Sequence, residues 1–387
     1  MYSLENKNIL IICHEGILGG AERHALGLAS FLSNSRNCKI DLLLTFSPHI
    51  SDDFKIEAVN GIRNIYHFGT PYIFFSTEFK YRNLRRLWWS LKYLWKVQKG
   101  LRHQKYDIII PFLNFPSKVA FYLYKILPSV QITFWHQLGL DVWKDDLLER
   151  IAVRKMPFII GNADNCLDKF YEDYEIPRDK LNVIAQSLAL EKIIYDKDQI
   201  RKNLNIPHDK IIVGMIAHYR PEKLHNLMIA SFLKANKLNN LHLILLGESE
   251  NSATTRSKFR DLTHFVDINC VSDNISLLSG NSVQEILSCL DMAVLVSDIE
   301  GTSNAVMEYM AYGLPVIATN HPGTISLLGD STFLINNNQK ELTDKIIELS
   351  NSNELRRSEG KRNLEAIFKY TPERYVQELE KVIDKYI

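Results

Sequence analysis

Cysteine is scarce in this sequence. Five cysteines stand among 387 residues, at positions 13, 38, 166, 270 and 289, and no two form a C-x-x-C pair. That pattern speaks against a disulfide framework and a thiolate zinc site, and it suits a reducing compartment. An excess of either charge is missing too. The 46 Lys and Arg balance 45 Asp and Glu, for a formal net charge of +1. Whole-chain charge therefore gives no reason to expect nucleic acid. No apolar run reaches the ~18 residues of a membrane span. The opening M-Y-S-L-E-N-K-N-I-L-I-I-C reads as a buried strand rather than a signal peptide. The expectation is a soluble, cytoplasmic protein, at most peripheral on the inner face of a plasma membrane. The dinucleotide fingerprint G-x-G-x-x-G is absent, so a nicotinamide enzyme is not supported.

What is present is ordinary globular composition, 46% apolar and 24% charged, over a length that favours two domains. Strand-length apolar runs alternate with helix-period segments, the signature of parallel βα units. In the first half the predicted strands are Asn8–Cys13, Lys39–Thr45, Asp107–Ile110, Gln131–Trp135 and Pro157–Ile160. In the second half they are Ile211–Ala217, Leu241–Leu246, Asn274–Leu278, Met292–Ser297 and Pro315–Thr319, with helices at Pro221–Leu238, Ser282–Leu290 and Thr302–Tyr312. Both halves read as doubly wound α/β sheets. The weakest periodicity lies near Ser187–Pro207, which sets the expected domains at 1–195 and 196–370, with a last helix over 371–387 that packs back on the first domain. Ligands of such sheets sit beyond the carboxyl ends of the strands. Two sheets facing each other would line one interdomain cleft with those loops.

The most informative stretch runs from Ser297 to Pro322, S-D-I-E-G-T-S-N-A-V-M-E-Y-M-A-Y-G-L-P-V-I-A-T-N-H-P. Glu300 lies in the loop after a strand, and Glu308 sits one and a half turns into the next helix. Thr302, Ser303 and Asn304 would cap that helix, whose N–H groups and dipole make an anion site. Two carboxylates beside a phosphate pocket must bind hydroxyls or they would repel the ligand. Hydroxyl-rich groups joined to phosphates describe a nucleotide sugar. The plainer alternative is a capped helix with a buried or salt-bridged Glu.

This stretch resembles the E-x7-E signature of retaining GT-B glycosyltransferases, especially glycosyltransferase family 4, and M-A-Y-G-L-P-V-I-A-T continues the resemblance. The similarity spans most of the chain and is strongest from Ile211 to Ala318. It implies a GT-B fold of two facing Rossmann-like domains, an N-terminal one for the acceptor and a C-terminal one for the donor. It implies that Glu300 lies near the transferred sugar and that Glu308 bonds the ribose. The activity implied is retaining, metal-independent sugar transfer from a UDP- or GDP-linked donor, without a cofactor. The acceptor expected is a saccharide, and the basic segment 79–106, which would bring the protein to a lipid-linked saccharide, points to bacterial surface polysaccharide assembly such as O-antigen or capsule.

Three further elements fit this frame. In G-M-I-A-H-Y-R-P-E-K, Lys223 resembles the family's diphosphate-binding Lys. The Arg expected five residues earlier is replaced by His218, and Arg220 takes that role here. R-P-E-K also reads as an ordinary charged helix start. Gly19 and Gly20 open a helix as in the family's G-G-A-E-R segment, whose glycine loop closes near the donor diphosphate; the alternative is a tight turn. His136 follows a predicted strand and matches the family's cleft histidine. It would position the donor sugar rather than move protons, because the leaving phosphate itself often takes the acceptor proton in this family. A lone His is more often structural. Where the family often has a Glu after its next glycine loop, this chain has Ser326. Asp196-Lys197-Asp198 has metal-transferase spacing but lies in the expected linker and reads as solvated charge.

The segment from 79 to 106 contains nine Lys or Arg and no acid. Leu84, Leu87, Trp88, Leu91, Leu94 and Trp95 recur at helical spacing, beside Trp89 and with Arg85, Arg86, Lys92, Lys96 and Lys99 interleaved. A basic amphipathic helix of this kind suits an anionic membrane surface. Its apolar stripe equally suits packing on a domain core. Nucleic acid is not expected as a partner. Two other functions use the same fold: a non-catalytic homologue that scaffolds a partner transferase, and a sugar-nucleotide epimerase.

Overall fold

The computed structural model describes residues 2–46, 48–71, 73–78, 81–140, 146–188, 190, 192–250 and 252–387. The chain divides into two compact units, one of Met1–Leu190 with Tyr370–Ile387, the other of Glu191–Lys369. The second unit thus begins five residues before the expected boundary, and the first recovers the chain at Tyr370.

Unit 1 is built on β1 (Asn8–Cys13), β2 (Lys39–Leu44), β3 (Asn64–His67) and β4 (Ile108–Pro111), all parallel in the order β3-β2-β1-β4. A second parallel sheet orders β5 (Trp135–Gln137), β6 (Ile159–Gly161) and β7 (Leu181–Val183). The expected strand Gln131–Trp135 is met only by a bridge from Ile132 to Ile108, and regular pairing begins at Trp135. β1 and β2 are almost wholly buried, as parallel strands covered on both faces must be. Each such Leu, Ile or Val contributes roughly 1.5–3 kcal/mol by leaving water. Helix Pro372–Ile383 joins this core. Its Tyr375, Val376, Leu379, Val382 and Ile383 pack with β1 and helix Gly20–Arg36. The N-terminus is tied to it by Leu4 N–H donating to Glu380 Oε1 at 2.7 Å.

Unit 2 is a six-stranded parallel sheet of β8 (Ile211–Ile216), β9 (Leu241–Leu246), β10 (Ile275–Leu278), β11 (Met292–Leu295), β12 (Val316–Thr319) and β13 (Leu334–Ile335). Its order is β10-β9-β8-β11-β12-β13. The chain winds outward from β8 in one direction, then returns to β11 on the other side. The gap between β8 and β11 is therefore the topological switch point, where ligands of doubly wound sheets bind.

Two predicted helices start later than the sequence suggests. The first of them is His225–Asn236, because residues 221–224 instead run beside the end of β11. The helix after β11 is Asn304–Ala311. Asp196 of the D-x-D spacing caps helix Lys197–Asn203, accepting from Asp198 N–H at 2.9 Å. Lys197 pairs with Asp291 at 2.6 Å.

Candidate functional site

The residues after β8 and β11 meet at the switch point. Lys223 forms an isolated antiparallel bridge with Ser297, and Leu224 N–H donates to Val296 O at 3.2 Å. Asp298 N–H donates to Glu222 O at 2.9 Å. R-P-E-K is thus a strand-end strap, not a helix start. The strap delivers Lys223 Nζ onto Glu300 Oε1 in an ion pair whose side chains are 18% and 12% exposed. Arg220 is exposed, and its nearest carboxylate is Glu222 at 3.9 Å.

The loop carrying Glu300 runs directly into helix Asn304–Ala311. Ser303 is its N-cap, with Oγ accepting from Val306 N–H at 3.4 Å. Thr302 and Ser303 are buried, and Asn304 is the first helical residue, so one of the three expected capping residues performs the cap. Glu308 lies in the same short helix and is only 6% exposed. The fully buried Tyr309 beside it anchors the helix to β8, its hydroxyl accepting from Ile216 N–H at 2.6 Å.

Sequence reasoning missed the second layer of this site. Ser297 O accepts from His321 Nε2 at 2.8 Å and from Asn337 Nδ2 at 2.9 Å. Ser297 N–H donates to Thr319 Oγ1 at 3.1 Å, and Thr319 Oγ1 donates to Asn337 Oδ1 at 2.7 Å. Ser297 Oγ donates to Glu222 O at 3.1 Å. Thr319 ends β12 and Ser297, His321 and Asn337 lie just beyond strands, and that position was the available signal. Gly323 completes the layer, because a Cβ there would stand 2.0 Å from Gly301 O. Only glycine lets helix Pro322–Leu328 approach the Glu300 loop so closely. Ser326 is exposed and its hydroxyl donates to Gly323 O at 2.8 Å.

In unit 1 the expected site residues turn inward. His136 is the middle residue of β5 and has no exposed surface. Its Nδ1 is 2.9 Å from Pro111 O, its Nε2 is 3.4 Å from the Tyr375 hydroxyl, and Phe112, Phe134 and His24 enclose the ring. Burial pushes its pKa down to about 4, so it is neutral. The strand pleat aims the His136 ring into the core, where Tyr375 of helix Pro372–Ile383 lies against it. Gly19 is the N-cap of helix Gly20–Arg36. The space a Cβ would fill is occupied by the Glu22 carboxylate, whose Oε2 lies 2.7 Å away. Burial raises the Glu22 carboxyl to about 7, against the pull of the Gly19 and Glu22 amides. The Gly19-Gly20 turn, expected to face a phosphate, thus holds the chain's own acid.

The basic segment forms helix Arg82–Leu101, and its first two residues, 79 and 80, lie outside the described residues. Arg85, Trp88, Lys92 and Lys96 are exposed, while Arg86 and Trp89 are half-buried. Arg86 lies 4.6 Å over the Phe74 ring. Among the described residues no helix is long and apolar enough to cross a membrane, and no cluster of three His, Cys, Asp or Glu could hold a metal ion.

Residues 196–365 match the family model described as Glycosyl transferases group 1. The chain is 22% identical over 302 residues to N-acetyl-alpha-D-glucosaminyl L-malate synthase of Bacillus anthracis, covering 74% of this chain and 77% of that protein. It is 25% identical over 230 residues to the O-antigen biosynthesis glycosyltransferase WclY of Escherichia coli, a match spanning 58% of this chain and 57% of the relative. Among solved structures, Anabaena HepE in complex with UDP and glucose has a TM-score of 0.78 at 17% identity, covering 98% of this chain and 99% of that one. At that identity the likeness establishes the fold alone.

Proposed function

We propose that this chain, a GT-B protein whose residues 196–365 belong to the glycosyl transferases group 1, transfers a sugar from a nucleoside-diphosphate donor to a saccharide acceptor. The transfer retains anomeric configuration and needs no metal. The observation that carries this reading is the Lys223–Glu300 pair at the β8/β11 switch point, immediately before the helix that bears Glu308.

The donor diphosphate sits at the start of helix Asn304–Ala311, where the helix dipole favours an anion. Lys223 exchanges its Glu300 partner for the phosphate, and Arg220, free to swing from the surface, adds a second cation. As the anomeric C–O bond to phosphate breaks, negative charge grows on the departing diphosphate. Fixed cations and the helix terminus stabilise that charge more than the ground state, which lowers the barrier. The new bond forms from the acceptor oxygen on the same face, and the acceptor proton leaves with the phosphate. Glu300, released from Lys223, accepts hydrogen bonds from sugar hydroxyls, and Glu308 from the ribose.

The relative named for O-antigen biosynthesis supports a surface polysaccharide as the product. A screen of UDP- and GDP-sugars for thermal stabilisation tests the donor class, because a ligand at 100 times its Kd adds roughly 2.7 kcal/mol. Stabilisation by one nucleotide sugar, weakened in Glu308→Ala and unaffected by excess chelator, is expected. No stabilisation by any nucleotide sugar overturns the reading.

A further inference from the structure

Helix Arg82–Leu101 turns its most apolar side away from its own unit. At 3.6 residues per turn it has three sides. One side, Asn83, Ser90, Tyr93, Val97 and Leu101, is buried in unit 1. Tyr93, Val97 and Leu101 belong to the core cluster of β1, β2 and β4 residues. The second side is Leu84, Leu87, Trp88, Leu91 and Trp95, and it is exposed. Leu84, Trp88, Leu91 and Trp95 keep 52%, 55%, 59% and 58% of their surface. The third side, Arg85, Lys92, Lys96 and Lys99, is exposed and basic. The stripe that the sequence offers for core packing is therefore not the packed face.

A single exposed Leu needs no explanation, but a continuous Leu/Trp stripe on a surface helix does. We infer that this helix is a docking surface for an anionic lipid bilayer. Charge complementarity selects this occupant. Segment 79–106 holds nine Lys and Arg without one acid. The basic side adjoins the apolar one, so the helix, lying in the interface, sinks its leucines and tryptophans while its lysines meet headgroup phosphates. Tryptophan favours that depth. Lys92 Nζ lies 5.0 Å from the Trp88 ring centroid and Lys99 Nζ 5.2 Å from that of Trp95, so charge and apolar stripe are held together. A groove lined by His67, Phe68, Trp95, Lys96 and Lys99 adjoins the stripe and offers cations to a headgroup phosphate. A second copy of the chain is a poorer fit, because two such helices face to face would bring their basic sides together. The inference concerns unit 1 and does not rest on the sugar-transfer reading.

The test uses the full chain with vesicles of phosphatidylcholine alone or with about a third phosphatidylglycerol. Co-sedimentation with the anionic vesicles is expected at low salt, falling as salt shortens the screening length from ~10 Å at 0.1 M. Tryptophan emission should shift to the blue and be quenched by brominated lipid. Lys92→Gln/Lys96→Gln/Lys99→Gln should lower the partition coefficient by roughly 100-fold. Trp88→Ser/Leu91→Ser/Trp95→Ser should abolish the emission shift. Both variants should melt close to wild type, since the altered side chains are exposed. Absence of binding to anionic vesicles overturns the inference. So does equal binding to neutral ones, or a lipid-free dimer or oligonucleotide complex that the Ser variant breaks. If the Ser variant fails to fold, quenching of the wild-type protein decides: quenching supports the inference and its absence overturns it.

Discussion

The residues expected to carry chemistry lie near the surface in unit 2 and are buried in unit 1. In unit 2, Lys223 and Glu300 meet near the surface of the switch point, and Ser297, Thr319, His321 and Asn337 brace the loop that holds them. In unit 1, His136, in the middle of β5, and Glu22, in the first turn of helix Gly20–Arg36, are both folded into the core. A position on a strand or in the turn that follows it does not by itself make a site. What matters is which way the pleat aims the side chain and whether another element covers it.

The contrast is sharpest in turnover. Lys223→Ala should lower kcat by about 10²–10³-fold, the scale of removing one preorganised charge-stabilising donor. His136→Ala should leave the turnover of its folded fraction within a few-fold of wild type. A steady-state assay with the donor found by the stabilisation screen reads both, and loss of turnover in a fully folded His136→Ala protein would break the comparison.

Nucleotide binding comes next. Glu308→Ala should weaken it by roughly 1.5–3 kcal/mol, as for a charged hydrogen bond, measured by calorimetry with the free nucleoside diphosphate. Gly323→Ala should also weaken it, because the new Cβ would collide with Gly301 O and displace the Glu300 loop. In unit 1, His136→Ala should instead cost about 1–3 kcal/mol of stability, from the orphaned Pro111 carbonyl and the cavity left behind.

The comparison also reaches pH dependence. Burial holds the pKa of His136, His225 and His242 down at about 4 and that of His24 at about 3. These histidines are neutral when folded and take up protons near 6.5 when unfolded. Their contribution is therefore complete above pH 6.5 and is lost as pH falls toward 4. Glu22 acts in the opposite sense. Its carboxyl, raised from 4.5 to about 7, stays protonated in the folded state, so unit 1 loses stability as pH rises from 4.5 to 7. Glu22→Gln should abolish that loss alone. Melting curves from pH 4 to 8 read both trends, and an unchanged profile in Glu22→Gln would show that the carboxyl is not held protonated.

Most strands were legible in the sequence because parallel strands buried on both faces are continuous apolar runs, as in Leu241–Leu246. The missed strands β3, β7 and β13 are short edge strands: β3 and β7 carry partly exposed, mixed residues such as Asn-Ile-Tyr-His, and β13 is only the two residues Leu334 and Ile335, too short to form such a run. Glu300, Ser303 and Glu308 were legible as a group because loop, cap and helix are consecutive in the chain. Lys223 was found as a cation, but its partner lies 77 residues away. The supporting Asn337 lies 40 residues from Ser297, with no local pattern joining them.

The sequence alone determined where most strands and helices form, that both units alternate strands with helices, and that a capped helix with two carboxylates follows one strand. These are local matters of periodicity, capping and turn chemistry. Tertiary structure alone decided which faces those elements show. His136 is buried because Tyr375, 239 residues away, arrives on a helix that returns to unit 1. Helix Arg82–Leu101 has two sides able to pack, and periodicity does not choose between them. Close packing on the core chose the side where Tyr93, Val97 and Leu101 alternate with the small Ser90. Asn83 fixed the helix end by donating to Ser76 O at 3.1 Å and Glu78 O at 3.2 Å. The bulkier Leu/Trp stripe was left facing outward, because side-chain volume against a sheet is settled only when the sheet is present.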